Sequence, residues 1–228
     1  MHLIHAQKLW KRYGRQTVLE QEELIMPRGL HLLIGPNGSG KSTFLKIIGG
    51  LIPTKGKLRL WEEIDLKKDR IPHRKAVSWA QAEPAFPPFI SGQYLLDMYA
   101  ELRQAPAEQI QDLQERLSAQ GFLQQQIETY SSGMKKKLSL LLALMGDPRL
   151  ILLDEPFNTL DPVSQQALGR IIKERVAAGK DMILASHQPP PAVDLQFQGY
   201  WVIQDHQLIA IPAADLQAWM QGQPSPAL

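Results

Sequence analysis

The chain of 228 residues contains no cysteine. That excludes a disulfide framework, thiolate metal sites and a cysteine nucleophile. Net charge is also scarce: 25 lysines and arginines stand against 23 aspartates and glutamates, and the resulting +2 is too small to argue for a nucleic-acid partner. Long apolar runs are missing as well. The most apolar segment, LSLLLALMG from Leu138 to Gly146, is about half of what a bilayer needs, so no membrane span is expected within it. Near residue 1 there is no basic start followed by an apolar stretch and a small-residue cleavage site, so the cytoplasm is the expected location. With 44% apolar and 21% charged residues, the chain has the profile of a globular protein able to bury a core. Its length allows one large domain, or one core with an insertion.

Apolar runs suited to buried strands recur at 29–35, 75–81, 149–155, 181–187 and 199–205. Helical periodicity separates them in STFLKIIGGL and SQQALGRIIKERVAAG, and more weakly in QEELIM. This alternation predicts an α/β fold with a mainly parallel sheet. From Glu83 to about Ser131 the pattern changes. A proline cluster, EPAFPPF, precedes SGQYLLDMYAELR, PAEQIQDLQERLSAQ and FLQQQIETY, which read as helices inserted into the α/β core. QPPPAV (188–193) reads as a stiff loop and QGQPSPAL (221–228) as a frayed tail.

The stretch IGPNGSGKSTFLKII answers to G-x-x-x-x-G-K-[ST] through Gly35, Pro36, Asn37, Gly38, Ser39, Gly40, Lys41 and Ser42. Glycines let consecutive backbone N–H groups turn inward around an anion, and the helix expected to begin near Lys41 adds its positive dipole end. Lys41 brings a point charge to terminal phosphates, and the Ser42 hydroxyl suits Mg²⁺. The chemistry implied is that of a nucleoside triphosphate. A second pair of candidates closes the apolar run LILLDEP. In open α/β sheets ligands sit at the carboxyl ends of strands, where Asp154 and Glu155 stand. Because successive strand residues point to opposite sides, the two acids are expected to differ in role: Asp154 in the Mg²⁺ shell, Glu155 polarising the attacking water.

GPNGSGKST, YSSGMKKKLSLLLALMGDPRLILLDEPFNTLD and LASH, in this order and spacing, resemble the ATP-binding subunit of an ABC transporter, and the likeness covers nearly the whole chain. The resemblance implies a P-loop NTPase core over about 1–82 and 146–220 with an antiparallel β part at its N-terminal side. It also implies a helical subdomain over about 83–145 and a tail at 221–228. ATP and Mg²⁺ are the ligands it implies. Residue by residue, it gives Tyr13 the stacking face for adenine and 35–43, including Thr43, the phosphates. Ser42, Asp154 and Gln81 are implied around Mg²⁺, and Glu155, His187 and Gln81 around the attacking water. Ser131 and Gly133 match the family signature, which meets the γ-phosphate bound by a second subunit. Tyr130, Ser132 and Met134 depart from that signature, in a manner similar to subfamilies with export-type membrane partners. Asp161, followed by Pro162, reads on its own as a helix N-cap; the resemblance adds a place at the seam of the dimer. Lys135, Lys136 and Lys137 oppose the dipole of the helix they open. Attraction to phosphate or to an acidic partner would account for them, as would a solvated charge run.

The partners implied by resemblance are a transmembrane permease on a separate chain and a second ATP-binding subunit, identical or paralogous, with no nucleic acid. The location implied is the cytoplasmic face of the membrane. A soluble ABC-type ATPase in a non-transport assembly is the alternative.

Overall fold

A long hairpin opens the chain. β1 (Ile4–Tyr13) and β2 (Gln16–Met26) are followed by β3 (Leu30–Ile34), α1 (Lys41–Ile48), β4 (Lys55–Leu60), β5 (Ile64–Asp65), α2 (Arg70–Ala76) and β6 (Val77–Ala80) in a computed structural model that describes residues 2–190 and 193–220. Next come α3 (Gly92–Arg103), α4 (Ala107–Arg116), α5 (Ser132–Leu144), β7 (Leu150–Asp154) and α6 (Pro162–Ala177). β8 (Asp181–Ser186), β9 (Gly199–Gln204), β10 (Gln207–Ile211) and the short α7 (Leu216–Met220) complete the order. Two units result: Met1–Arg74 with Asp181–Pro189 and Gln196–Leu228, and Lys75–Lys180 with Pro190–Leu195.

In the first unit β1 pairs antiparallel with both β2 and β4, and β4 with β5. This is the antiparallel part that the resemblance implies. β3 lies between β8 and β9, parallel to both, and β10 closes antiparallel on β9. β3 and β8 are buried at every position, as strands covered on both faces must be, which is why their sequences read as continuous apolar runs. Asp181, at the start of β8, is the buried polar exception. Its carboxylate accepts hydrogen bonds from Trp61 Nε1 at 2.7 Å, Gly29 N at 2.7 Å and Arg28 Nε at 3.1 Å, so its burial is compensated.

QEELIM is strand, the end of β2, and the helical expectation for it is corrected. The hairpin buries Ile4, Ala6, Leu24 and Met26 from one face at its open end, but Leu9 and Leu19 from the other face near its turn. Because the buried face changes along the strand, no single alternation runs through the sequence.

In the second unit β6 and β7 pair in parallel. α5 is buried at every position from Leu138 to Leu144, as expected of a helix apolar all round. FLQQQIETY is not an α-helix: only Ile127–Thr129 forms a single 3₁₀ turn. Its backbone is bonded elsewhere, with Ile127 N donating to Ile90 O at 2.9 Å and Glu128 N to Pro88 O at 3.0 Å, while Tyr130 Oη donates to Phe122 O at 2.9 Å. These long-range partners outcompete the i→i−4 ladder. α4 is tied to α6 by a two-pronged pair, Arg116 to Glu174 at 2.7 and 2.8 Å. Residues 191–192 of the proline loop and the tail 221–228 lie outside the described residues. Among the described residues no helix is long and apolar enough to cross a membrane.

Candidate functional site

The phosphate loop occupies the turn between β3 and α1, in the first unit. Gly38 at φ 82° and Gly40 at φ 106° adopt left-handed backbone that side-chain-bearing residues avoid. Gly40 is also the N-cap of α1, with no side-chain cap bond, and a Cβ there would stand 3.1 Å from Val18 Cγ1 of β2. Lys41 is buried, and its ammonium donates to Gly35 O at 2.6 Å and Pro36 O at 3.0 Å. The buried Ser39 Oγ has no hydrogen-bond partner among the described residues. An orphaned hydroxyl, two left-handed glycines and a helix N-terminus together form a cradle whose chemistry fits a polyphosphate. Ser42 and Thr43 are in the first turn of α1.

His187 directly follows β8, and Gly35 N donates to Ser186 O at 3.2 Å, so the strand end and the loop are joined. A cavity of about 360 Å³ is lined by His187 together with Ile34, Gly35, Pro36, Asn37 and Trp219. The sequence candidate His187 therefore stands beside the phosphate loop. Tyr13 is the last residue of β1, 48% exposed, with Lys11 Nζ 4.9 Å from its ring centroid in cation–π contact.

The carboxylate candidates belong to the second unit. Asp154 ends β7 and is buried. Glu155 is beyond the strand at φ 48°, a left-handed position, so the alternation argument for the directions of the two acids does not apply to it. This local backbone is the physical reason for that correction. Asn158 Nδ2 donates to Glu155 Oε2 at 3.3 Å. Gln81 follows β6, and both of its backbone groups are held by α5: its N–H donates to Ser139 Oγ at 3.2 Å, and its C=O accepts from Lys136 Nζ at 2.9 Å.

Within the lysine run, the solvated reading does not hold for Lys136: it is buried, and its ammonium also donates to Ala82 O at 2.7 Å and Asp154 O at 3.2 Å. Burial pushes it down to about 8, with the Asp154 and Glu155 carboxylates acting in the opposite direction. Lys137 is committed too, to Asp161 Oδ2 at 2.8 Å. No local sequence signal marks Lys136, because the carbonyls that hold it come from 81, 82 and 154.

Ser131 is the N-cap of α5, its Oγ accepting from Met134 N at 3.2 Å, while Ser131 N reaches Met134 Sδ at 3.5 Å. The departure at 134 thus keeps a reciprocal capping contact, with sulfur in place of an amide. Gly133 is required by proximity, since a Cβ there would come within 2.8 Å of Thr159 O. Ser131, Gly133 and the loop leading to Asp161 are accordingly close neighbours. Asp161 is the N-cap expected for α6, accepting from Ser164 N at 2.8 Å and Ser164 Oγ at 2.7 Å. Its hydrogen bond from Lys137, and then those from Ser164, hold its carboxyl well below the usual carboxylate range.

Asp161→Ala removes cap and ion pair together and is expected to lower stability by about 1–2 kcal/mol in chemical denaturation at pH 7. Asp161→Asn keeps a cap oxygen and should lose only about 0.2–1 kcal/mol. Since the carboxylate is favoured in the folded chain, its stabilisation is in place above about pH 4 and fades as pH falls towards the lowered folded value. Wild type and Asp161→Asn should therefore converge in acid.

A family model described as ABC transporter matches residues 23–158. The lantibiotic transport ATP-binding protein SrtF of Streptococcus pyogenes is 30% identical over 81% of this chain and 80% of its own. The zinc transport system ATP-binding protein TroB of Treponema pallidum is 30% identical over 82% of this chain and 73% of its own. Among solved structures, an ATP-binding subunit of an ABC transporter superposes with a TM-score of 0.81 at 23% identity, covering 96% of this chain and 95% of that one. That likeness carries the fold: a P-loop NTPase fold with antiparallel and parallel β parts and helices.

Proposed function

Because the chain belongs to the ABC transporter family of ATP-binding proteins, we propose that it binds and hydrolyses ATP to drive transport through a permease carried on a separate chain, as one of two ATP-binding subunits that close head to tail. The observation that carries the reading is the phosphate loop, where Gly38, Gly40, Ser39 and the buried Lys41 form a cradle for a polyphosphate. The named relatives, one for lantibiotics and one for zinc, support transport as the work that hydrolysis serves.

On this reading Lys41 and the N–H groups of the loop take the terminal phosphates, and Tyr13 stacks on the base. Ser42 and Asp154 would hold Mg²⁺, with Gln81 reaching towards it. Mg²⁺ neutralises charge on the phosphate oxygens when bound. Glu155 accepts a proton from the attacking water and His187 steadies that water by a hydrogen bond. Ser131 and Gly133 present the N-terminus of α5 to the γ-phosphate held by the partner copy. Asp161 serves the seam as well as its cap. The site of action is the cytoplasmic face of the membrane, where the permease would hold the pair.

The test is phosphate release by the full chain with Mg²⁺ and ATP across a range of chain concentrations. The rate per chain should rise with concentration as pairs form. Full turnover at a constant rate per chain, by a chain that sizing shows to stay monomeric, would remove the shared-site reading.

A further inference from the structure

We infer that Lys136 is a positioning residue that makes the Ser131 end of α5, the Gln81 loop and the end of β7 a single mechanical body. This rests on the function proposed above for Ser131, Gln81 and Asp154. The geometry supplies the rest. One ammonium donates to three main-chain carbonyls, Gln81 O at 2.9 Å, Ala82 O at 2.7 Å and Asp154 O at 3.2 Å, which belong to the ends of two neighbouring strands. Ser139, three residues further along α5 and so on the same face, accepts from Gln81 N at 3.2 Å. α5 thereby fixes Gln81 by both of its backbone groups, while its own first turn is fixed to Ser131 by the cap.

Carbonyl acceptors suit this work better than carboxylates would. Lysine has three donors and no acceptor, so three carbonyls saturate it and leave no charge pair free to rearrange. The acceptors are backbone, so a shift of α5 is passed through the one Lys136 side chain directly to the main chain at Gln81 and Asp154. A γ-phosphate met by Ser131 would be sensed, through one helix and one side chain, at the glutamine and aspartate of the same copy. Those two serve that copy's own ATP. The link therefore joins the two sites of a pair.

The experiment compares full-length wild type with Lys136→Met, which keeps the apolar stem without donors, and Lys136→Gln, which keeps one short donor group. ATP turnover is measured as kcat and KM, with Lys41→Ala as the control. Lys136→Met should lose about 10- to 100-fold in kcat with KM within about threefold, because the phosphate loop is untouched. Lys136→Gln should fall between. In hydrogen exchange, the amides of 81–83 and 155 should exchange faster in Lys136→Met than in wild type. An unchanged kcat in folded Lys136→Met overturns the inference, and so does recovery of neither variant in folded form, which would assign Lys136 to the fold alone. If Lys41→Ala turns over ATP like wild type, the proposed function fails, and the inference with it; if Lys41→Ala is inactive while Lys136→Met is normal, only the inference fails.

Discussion

Glu155→Gln should bind ATP as wild type does and hydrolyse it about 10²–10⁴ times more slowly, the loss expected for removing a general base. The substitution is nearly isosteric, and the Asn158 contact to Oε2 can be re-formed with the amide oxygen. Glu155 is held at φ 48° immediately after a buried strand, a backbone position that costs energy in any residue other than glycine and fixes where the side chain starts. Gln inherits that position unchanged, so the effect should fall on chemistry and leave the fold intact. With hydrolysis blocked, ATP should hold two copies together, and size-exclusion chromatography with Mg²⁺ and ATP should show a dimer that Mg²⁺ and ADP do not support. Normal turnover by this variant would transfer the base role to another residue.

The second large effect concerns sharing. Lys41→Ala should weaken ATP binding about 10²-fold, since the buried charge proposed to meet the terminal phosphates is lost. Ser131→Arg should leave ATP binding on its own loop intact and still be nearly inactive, because it places a bulky cation where N–H groups are proposed to meet the partner's γ-phosphate. Mixed together, the two variants make a pair in which one site carries both defects and the other carries neither. Random pairing with one competent site in each mixed dimer predicts recovery to about a quarter of wild-type activity. A verified mixed pair as inactive as its parents would overturn either the sharing or the independence of the sites, and the concentration series separates these.

β3, β7 and β8 were legible because burial on both faces writes itself as a nearly continuous apolar run, as in Leu150–Leu153. The phosphate loop was legible because its glycines and lysine lie in one contiguous stretch. β1 and β2 were not found from pattern, since the buried face of the hairpin changes between Ala6 and Leu9 and leaves no period to detect. FLQQQIETY misled for the opposite reason: its apolar spacing is close to helical, but Ile127 and Glu128 bond to 90 and 88. For the lysine run the sequence left two readings open, and neither anticipated that Lys136 is buried. Burial of Lys136 depends on three carbonyls from 81, 82 and 154, which are distant along the chain and invisible locally. Nor does any residue type at 155 announce a left-handed backbone.

The clasp that Lys41 makes on Gly35 O and Pro36 O changes what an affinity for nucleotide means in this chain. Without ligand, the lysine already has acceptors, so phosphate oxygens compete with the loop's own carbonyls for the same three protons. Binding at this residue is an exchange of partners, and its free energy is the difference between two sets of charge-assisted bonds. Part of the lysine's bonding capacity is already engaged within the protein. The return is a loop kept open and correctly shaped before ATP arrives, so that less ordering remains to be done on encounter. A ligand reaching several N–H groups at once is therefore expected to outbid the carbonyls where an isolated phosphate does not.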